Sequence, residues 1–386
     1  MKIAIIGSRG VNSSYGGIEK VLAQLCPRLA QLGHTVDVYS EDTAEARAPR
    51  DDGVGNLPAA SLPGKYTETL SRSLVATTMA LSRGYDVINY VAIGPGMLNL
   101  LPRTFGIPTV VSIHGLDWRR DKWPAPARFA LRCAERAIVL GATEITVVSR
   151  ELQTYFQDTY GRTVIHTPNG VDIRDINGDA ALLREFGLEP DGYVLFASRL
   201  VPEKGAHELI EAFAQVTTDK KLVIAGGGRY DQPYMEHLRN LAQGDRYVFT
   251  GHLVGERLKA IFAGAHLYVL PSHIEGLSLS LLEAMGFGKA PLVSDIAENL
   301  EVIGDDGFSF SVGDVDALAL ALTRLLAQPD MVREMGKRAR SRVHQAYSWD
   351  SVAATYGELY NSLALGKRRR VRGEGATAAI PRHETD

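Results

Sequence analysis

Cysteine is scarce in this chain of 386 residues, which contains only Cys26 and Cys133. The two lie far apart, each in a stretch of helical periodicity, and the sequence has no CxxC pair and no cluster of cysteine with histidine. These absences exclude a disulfide framework and a zinc site of the usual ligand spacing. We expect two free thiols in a reducing compartment.

The chain also lacks a large excess of either charge sign and has no long apolar run. The formal net charge is −3, so the molecule as a whole offers no electrostatic basis for binding nucleic acid. No window approaches the run of about 18 apolar residues that a membrane-spanning helix needs. The first residues, MKIAIIG, run directly into a strand pattern and lack the longer apolar region of a signal peptide. We therefore expect a cytoplasmic protein.

Along the chain, short β-branched runs alternate repeatedly with longer segments whose apolar residues recur at helical spacing. One series extends from KIAIIG to EITVVSR, and a second extends from YVLFASRL to APLVSD. Such alternation is typical of βα units that build a parallel sheet, and the length suits two domains. Between the series, HTPNGVDIRDING at 166–178 is rich in turn formers and predicts a linker. We predict domains at 1–170 and 171–346, a final helix at 347–366 and a disordered tail at 367–386.

Two carboxylates, Glu275 and Glu283, flank an almost uncharged run directly after the strand pattern LYVLPS. A strand-to-helix turn at the carboxyl end of a parallel sheet lines the ligand crevice, where the free N–H groups of the helix start favour an anion. Gly276 would let a ligand approach the backbone closely. From the spacing alone, two solvated acids beside a core helix are the better explanation.

The loop after the first strand of the second series carries two cations, Arg199 and Lys204, within ASRLVPEKG. A diphosphate in the crevice would need such cations, although two solvated surface charges would give the same pattern. The segment GSRGVNSSYGGIEK, after the first strand of the chain, leads into a helix near Gly17. It would offer flexible backbone and N–H donors to the same crevice from the opposite side. That loop lacks GxGxxG and its downstream acid, which disfavours a dinucleotide site.

Seven motifs occur in an order that resembles glycosyltransferase family 4 over about residues 1–365: YGGIEK, HGLD, PNGVD, SRLVPEKG, GGG, TGHL and HIEGLSLSLLEAMGFG. The resemblance implies the α/β fold called GT-B, in which two Rossmann-like, doubly wound domains face a central cleft and a C-terminal helix crosses back to the first domain. It implies that the first domain binds the acceptor and the second binds a nucleotide sugar. GSRG…YGGIE and HGLDWRRDKW are similar to a bacterial branch that includes rhamnosyltransferases of capsule and exopolysaccharide assembly, which points to dTDP-rhamnose.

Carried over by position, the resemblance gives each candidate residue a role. Arg199 and Lys204 would bind the donor diphosphate and stabilise the charge on the leaving nucleotide without a metal. Glu283 would bind the ribose hydroxyls, Glu275 would face the transferred sugar, and His114 would lie near the anomeric centre and the acceptor. The backbone groups that would touch the donor belong to Gly16, Gly17, Gly276, Leu277, Ser278 and Leu279. Many relatives have a second glycine where this chain has Ser278.

The implied reaction is metal-independent transfer of a hexosyl group, with retention, to a glycan or a polyprenyl-diphosphate-linked acceptor. The sequence offers no obvious nucleophile, which favours front-face displacement, and no cofactor is expected. Two alternatives stay open: a nucleotide-sugar epimerase of the same fold, and a sensor that binds a nucleotide sugar or a glycan without catalysis. A DxD in GDVDAL at 313–318 precedes a helical pattern, so we interpret Asp314 or Asp316 as a helix cap rather than a metal ligand.

The stretch at 118–140 is basic and contains Trp118 and Trp123. Its cations are Arg119, Arg120, Lys122, Arg128, Arg132 and Arg136. Cations interleaved with tryptophan suit an anionic membrane surface, to which the tail cluster Lys367 to Arg372 would add attraction. A solvated helix face explains the same pattern equally well. The hypothesis is peripheral association with the inner face of the cytoplasmic membrane.

Overall fold

The computed structural model describes residues 1–13, 16–43, 50–64, 67–120, 123–173, 175–227 and 232–371, the last five by their backbone alone. Within these ranges the chain forms two sheets, each of parallel strands flanked by helices. No helix in the same ranges has both the length and the apolar character needed to cross a membrane. Cys26 and Cys133 are both free thiols, as expected from the sequence.

The first sheet has seven strands in the order β3-β2-β1-β4-β5-β6-β7. Its strands are β1 (Lys2–Ile6), β2 (Thr35–Ser40), β3 (Val54–Pro58), β4 (Val87–Val91), β5 (Thr109–Ile113), β6 (Glu144–Val147) and β7 (Ile165–His166). Its helices are α1 (Gly17–Gln31), α2 (Glu68–Leu81), α3 (Ile93–Gly96), α4 (Leu100–Thr104), α5 (Ala125–Gly141) and α6 (Arg150–Tyr160). Every pairing is parallel, so the carboxyl ends of the strands share one edge of the sheet.

The second sheet has six strands in the order β10-β9-β8-β11-β12-β13. Its strands are β8 (Tyr193–Ala197), β9 (Lys221–Ala225), β10 (Tyr247–Gly251), β11 (Leu267–Leu270), β12 (Ala290–Ser294) and β13 (Phe308–Phe310). Its helices are α7 (Ala180–Arg184), α8 (Ala206–Ala214), α9 (Gln232–Leu241), α10 (Gly255–Gly264), α11 (Leu279–Gly286), α12 (Ala297–Ile303), α13 (Val315–Leu326) and α14 (Pro329–Ala346). The strand order reverses between β8 and β11, which creates a crevice at their carboxyl ends.

The last helix, α15 (Trp349–Val371), returns to the first domain and packs against α1. Its apolar side chains share a buried cluster with β1 and α1, and two of its tyrosines reach the sheet. Asn89 Nδ2 donates to the Tyr360 hydroxyl over 3.0 Å, and the Tyr356 hydroxyl lies 3.1 Å from Ser112 Oγ. The helix extends to Val371, five residues beyond the predicted end at 366, and Arg372 and the rest of the predicted tail lie outside the described residues.

Candidate active site

The candidate donor residues lie on the two loops that flank the strand reversal of the second sheet. Arg199 and Lys204 follow β8, with Lys204 in a short 3-10 turn (Pro202–Lys204), and Glu275 follows β11. The resulting cleft is narrow, with a free volume of about 20 Å³, because the loop after β5 closes its other side. It is lined by Gly115, Leu116, Arg120, Arg199, Glu203, Lys204, Ile274, Glu275 and Gly276.

Lys204 and Glu275 form a buried ion pair at the base of this cleft. Lys204 Nζ lies 2.5 Å from Glu275 Oε1, and the two side chains are only 10% and 8% exposed. Ser272 Oγ donates to the same carboxylate oxygen over 2.7 Å, and Lys204 Nζ also donates to the Ile274 carbonyl over 3.2 Å. Burial lowers the pKa of Lys204, whereas Glu275 opposes that shift by stabilising the ammonium. The pair therefore holds a cation in place where water is largely excluded.

Ser278 takes a different role from the glycine found in many relatives. It is the N-cap of α11, where its hydroxyl accepts from the Leu281 N–H over 3.3 Å. Leu279 is the first helical residue, and the buried Leu277 presents its carbonyl to Asn169 Nδ2 at 3.2 Å. Serine thus satisfies one of the free N–H groups of the helix start through its side chain.

Glu283, on α11, is paired across the cleft. Its Oε1 forms an ion pair with Lys20 Nζ on α1 of the first domain. At the start of α1, Gly16 is the N-cap, and a Cβ on Gly17 would lie 3.6 Å from Leu279 Cδ1. The structure therefore brings the first-domain glycines against the start of α11, while Tyr15 of the same motif lies outside the described residues.

The two domains come into close contact at Gly276. A Cβ built on this residue would collide with the carbonyl oxygen of His114, which follows β5. Gly115, which has a positive φ of 146°, continues this approach, because a Cβ there would lie 3.9 Å from Gly276 Cα. Glycine at position 276 is thus required for the observed contact between the domains.

His114 lies beside this contact and is neutral at pH 7. Burial lowers its pKa to about 4, and the nearby Asp117 carboxylate only partly offsets the effect. A neutral imidazole can accept or donate a hydrogen bond but contributes no positive charge to the leaving nucleotide. The structure therefore assigns the positive charge of the site to lysine and arginine side chains.

The sequence reasoning missed the roles of three residues of the site. Arg120 was interpreted as part of a membrane-facing stretch, yet it lines the cleft and its charge lowers the pKa of Lys204. Lys20 carried no assigned role, because nothing in YGGIEK indicates that its lysine reaches Glu283. Asn169 within PNGVD was taken only as a turn former, although its amide holds the loop that bears Gly276.

Trp118 is partly buried against the first domain. Its indole N–H donates to Glu135 Oε2 over 2.9 Å, and Arg132 lies over its ring at 4.4 Å. Glu135 is fully buried and also accepts from the hydroxyls of Tyr155 and Tyr160. Three donors thus satisfy a buried carboxylate, and Trp118 is one of them. Lys122, in the same stretch, lies outside the described residues.

The DxD motif acts as a helix cap. Asp314 is the N-cap of α13, and its Oδ1 accepts from the Ala317 N–H over 2.8 Å. In the described part of the chain, no group of three or more histidine, cysteine, aspartate and glutamate residues is arranged to hold a metal ion. The interpretation of Asp314 as a cap is confirmed.

Comparisons with known proteins connect this geometry to a family. The model described as glycosyl transferases group 1 matches residues 182–342, and the model described as glycosyltransferase family 4 matches residues 15–175. A GDP-mannose-dependent alpha-(1-6)-phosphatidylinositol monomannoside mannosyltransferase of Mycolicibacterium smegmatis is 32% identical, over 92% of this chain and 96% of its own length. Alpha-maltose-1-phosphate synthase of the same organism is 25% identical, over 94% of this chain and 100% of its own length.

Solved structures agree on the fold. Sucrose-phosphate synthase from Thermosynechococcus elongatus superposes with a TM-score of 0.83 at 23% identity, covering 95% of this chain and 99% of its own. Anabaena Alr3699/HepE in complex with UDP-glucose has a TM-score of 0.79 at 20% identity, covering 94% and 100%. The predicted GT-B fold of two Rossmann-like domains is confirmed. With one relative above 30% identity along nearly its whole length and both halves matched by family models, the chain belongs to glycosyltransferase family 4.

Proposed function

We propose that this glycosyltransferase transfers a sugar from a nucleoside-diphosphate sugar to a glycan or lipid-linked acceptor, with retention of the anomeric configuration and without a metal. The observation that carries the proposal is the buried Lys204–Glu275 pair beside Arg199, at a cleft closed by the His114 loop. A fixed cation in a site with little water stabilises a leaving diphosphate far more strongly than it would in bulk water.

In the proposed mechanism Lys204 and the exposed Arg199 bind the diphosphate, and Arg120 adds a third positive charge from the first domain. Glu275 uses Oε1 to orient Lys204, and we assign its other oxygen to a hydroxyl of the transferred sugar. Because that carboxylate is already held by Lys204 and Ser272, we assign it no nucleophilic role. The departing phosphate oxygen would then accept the acceptor's proton on the same face of the sugar, and trapping of a covalent glycosyl-enzyme would overturn this step.

Glu283 is the residue proposed to bind the ribose of the donor. Its carboxylate lies on α11, one turn beyond the helix start at which the phosphates would bind. Ribose hydroxyls would replace Lys20 as its partner, which links nucleotide binding to the contact between the domains.

The donor is best identified by a thermal-shift screen of dTDP, GDP, UDP and ADP sugars. The N-terminal motifs suggest dTDP-rhamnose, the 32% identical relative is named as GDP-mannose-dependent, and HepE was crystallised with UDP-glucose. We expect a clear rise in melting temperature with the sugar nucleotide of a single base. Stabilisation by none of the four nucleotide classes would contradict the proposed donor site.

Transfer itself is tested by release of free nucleoside diphosphate from that donor in the presence of acceptor. We expect Lys204→Ala to lose roughly 10²- to 10³-fold in kcat, as is typical when one preorganised charge is removed. Lys337→Ala, which removes an exposed lysine of α14, is the matched control. Conversion of the donor sugar without acceptor would favour an epimerase, and binding without turnover would favour a sensor.

Membrane association is proposed to use the exposed face of α5. Phe129 and Leu140 are 69% and 82% exposed there, beside the exposed Arg132 and Arg136. Apolar side chains flanked by cations suit an anionic membrane surface and would place the first domain near a lipid-linked acceptor. Co-sedimentation with anionic vesicles at low salt tests this proposal. We expect binding to weaken in a Phe129→Ser, Leu140→Ser variant, and no binding by the unaltered protein would contradict it.

A further inference from the structure

Glu298, in the first turn of α12, is a partly buried carboxylate to which the proposed donor site gives no role. Its side chain bonds with its own backbone N–H and makes no ion pair or hydrogen bond to another of the described residues. Burial raises the pKa of this carboxyl, and the charges of Glu151 and Glu275 raise it further. A carboxylate in such surroundings is stabilised by hydrogen-bond donors, and a bound ligand can supply them.

The loop that leads to Glu298 is fastened to the loop that bears Glu275. Their strands, β12 and β11, are parallel neighbours, so both loops leave the second sheet at the same edge. Buried hydrogen bonds join them: Asn299 Nδ2 donates to Ser294 Oγ over 3.0 Å, and Ser294 Oγ donates to the Ser272 carbonyl. The Ser272 hydroxyl in turn donates to Glu275. The two glutamates are therefore held in a fixed relation to each other.

Glu298 lies on the side of α12 that faces the first domain. Glu301 is three residues further along the helix and shares that side. Its Oε2 accepts from the Arg150 N–H over 2.8 Å, and its Oε1 lies 3.3 Å from His166 Nε2, both in the first domain. Glu298 is one turn nearer to the start of α12, which lies at the carboxyl end of β12. It therefore faces the first domain where the cleft opens.

Arg119, in a short 3-10 turn (Asp117–Arg119) after β5, lies on the opposite wall. Its charge lowers the pKa of the Glu298 carboxyl, so the two groups are near each other, although no ion pair joins them. The guanidinium lies over the rings of Trp118 and Tyr155, 5.6 Å from each ring centroid, and makes no hydrogen bond to a described residue. One wall of the cleft thus carries a free hydrogen-bond acceptor and the other a free donor.

We propose that Glu298 and Arg119 bind the acceptor sugar, with Glu298 accepting a hydrogen bond from one hydroxyl and Arg119 donating to a neighbouring one. This inference rests on the proposed function, because it presupposes transfer to an acceptor. It adds the acceptor's class: a sugar unit with adjacent free hydroxyls and no negative charge at this point. A uronic acid or a phosphate there would meet the carboxylates of Glu298 and Glu275, and like charges brought together in a cleft disfavour binding.

The test measures transfer by the full-length protein, from its preferred donor, to octyl glucoside, octyl galactoside, octyl mannoside and octyl glucuronide. We expect transfer to at least one neutral glycoside and none to the glucuronide. Glu298→Gln keeps the size of the side chain and should raise KM for that acceptor about 10- to 100-fold, the effect of losing a hydrogen bond to a charged group. Arg119→Gln should raise it in the same way. Glu334→Gln, which removes an exposed carboxylate of α14, is the matched control and should leave KM unchanged.

Donor affinity separates this role from a structural one. A higher acceptor KM in Glu298→Gln with unchanged donor affinity would support the proposal, because a residue that only stabilises the fold would alter both. An unchanged acceptor KM would overturn it, as would an equal loss of donor affinity. Transfer to the glucuronide in preference to the neutral glycosides, or to none of the four, would also overturn it. Donor binding with release of nucleoside diphosphate would in each case leave the proposed donor site intact, so the two proposals fail separately.

Discussion

Lys20 of the first domain and Glu283 of the second form an ion pair across the cleft, and this contact joins the first helix of the chain to the helix that starts at the proposed donor site. The lysine side chain is 43% exposed and the glutamate side chain 18% exposed, so the pair is partly solvated. Partly exposed pairs contribute little net free energy, about 0.2–1 kcal/mol. A ligand that offers Glu283 two hydroxyl donors can therefore replace Lys20 at low cost.

Replacing Lys20 with methionine is expected to strengthen donor binding about two- to fivefold. The reason is that no ion pair with Lys20 then has to be broken before Glu283 can accept hydrogen bonds from the ribose hydroxyls. Calorimetric titration with the donor measures the effect. Lys337→Met, which also removes an exposed lysine paired with a glutamate, is the control and should leave donor affinity unchanged. Weaker binding by Lys20→Met would show instead that Lys20 itself contacts the donor.

Glu275→Gln should change the pH dependence of the reaction as well as its rate. Burial lowers the pKa of Lys204 and Glu275 raises it, so loss of the carboxylate charge lowers that pKa further. Since the proposed mechanism requires the protonated lysine, activity is expected to fall as pH rises through this pKa. We expect the alkaline limb of kcat/KM to move to lower pH and kcat to fall roughly 10²-fold. A lower rate with an unmoved alkaline limb would argue against Lys204 as the titrating group.

Gly276→Ala is expected to block the close approach of the domains while both domains remain folded. The added Cβ would meet the His114 carbonyl oxygen, and backbone on one side of a cleft cannot move aside as a flexible side chain can. We expect kcat/KM to fall at least 10²-fold, because misplacement by about 1 Å has such an effect on reacting groups. Gly366→Ala, whose Cβ would meet nothing within 4 Å, is the control. Unchanged activity would mean that catalysis does not need this contact.

His114 makes the fold sensitive to acid. Its pKa is lowered to about 4, below the value of 6.5 for an ordinary histidine, so between these values the unfolded chain binds more protons than the folded one. Stability should therefore rise with pH through that window, with a contribution on the order of 2 kcal/mol from this residue. Urea unfolding from pH 4.5 to 7 is expected to show a shallower slope in His114→Asn. Equal slopes in both proteins would contradict this assignment.

Metal independence stays a prediction, founded on the cations that the cleft already contains. We expect EDTA to leave the rate of nucleotide release unchanged within about twofold, because Arg199 and Lys204 supply the charge that a divalent ion supplies elsewhere. Loss of activity in EDTA with recovery on addition of Mg²⁺ or Mn²⁺ would overturn it.

The regular parts of both sheets were predictable because buried parallel strands are short apolar runs rich in valine and isoleucine. β3, with the sequence VGNLP, was not predicted, since glycine, asparagine and proline weaken the strand signal; it pairs only with β2, at the edge of its sheet. β7 has two residues, and its second residue, His166, is also the first residue of the predicted linker, so no periodicity could reveal the strand. Pairing with a neighbouring strand, rather than local preference, fixes both elements.

The candidate site likewise contains residues that could be predicted from the sequence and residues that could not. Arg199, Lys204 and Glu275 were predictable because each lies on a loop with a recognisable motif. Lys20 and Arg120 were not, because their roles depend on how two domains far apart in sequence face each other. A contact between side chains on opposite sides of a cleft produces no spacing pattern in the sequence of either segment.

The return of α15 to the first domain means that the domain synthesised first is completed last. Trp349 and Tyr360 supply part of the core around β1 and α1, yet about 180 residues of the second domain are translated before they leave the ribosome. At typical rates of translation, this apolar surface of the nascent chain stays uncovered for roughly 10 to 40 s. The native stability of the first domain is reached only when the end of the polypeptide has folded against the beginning.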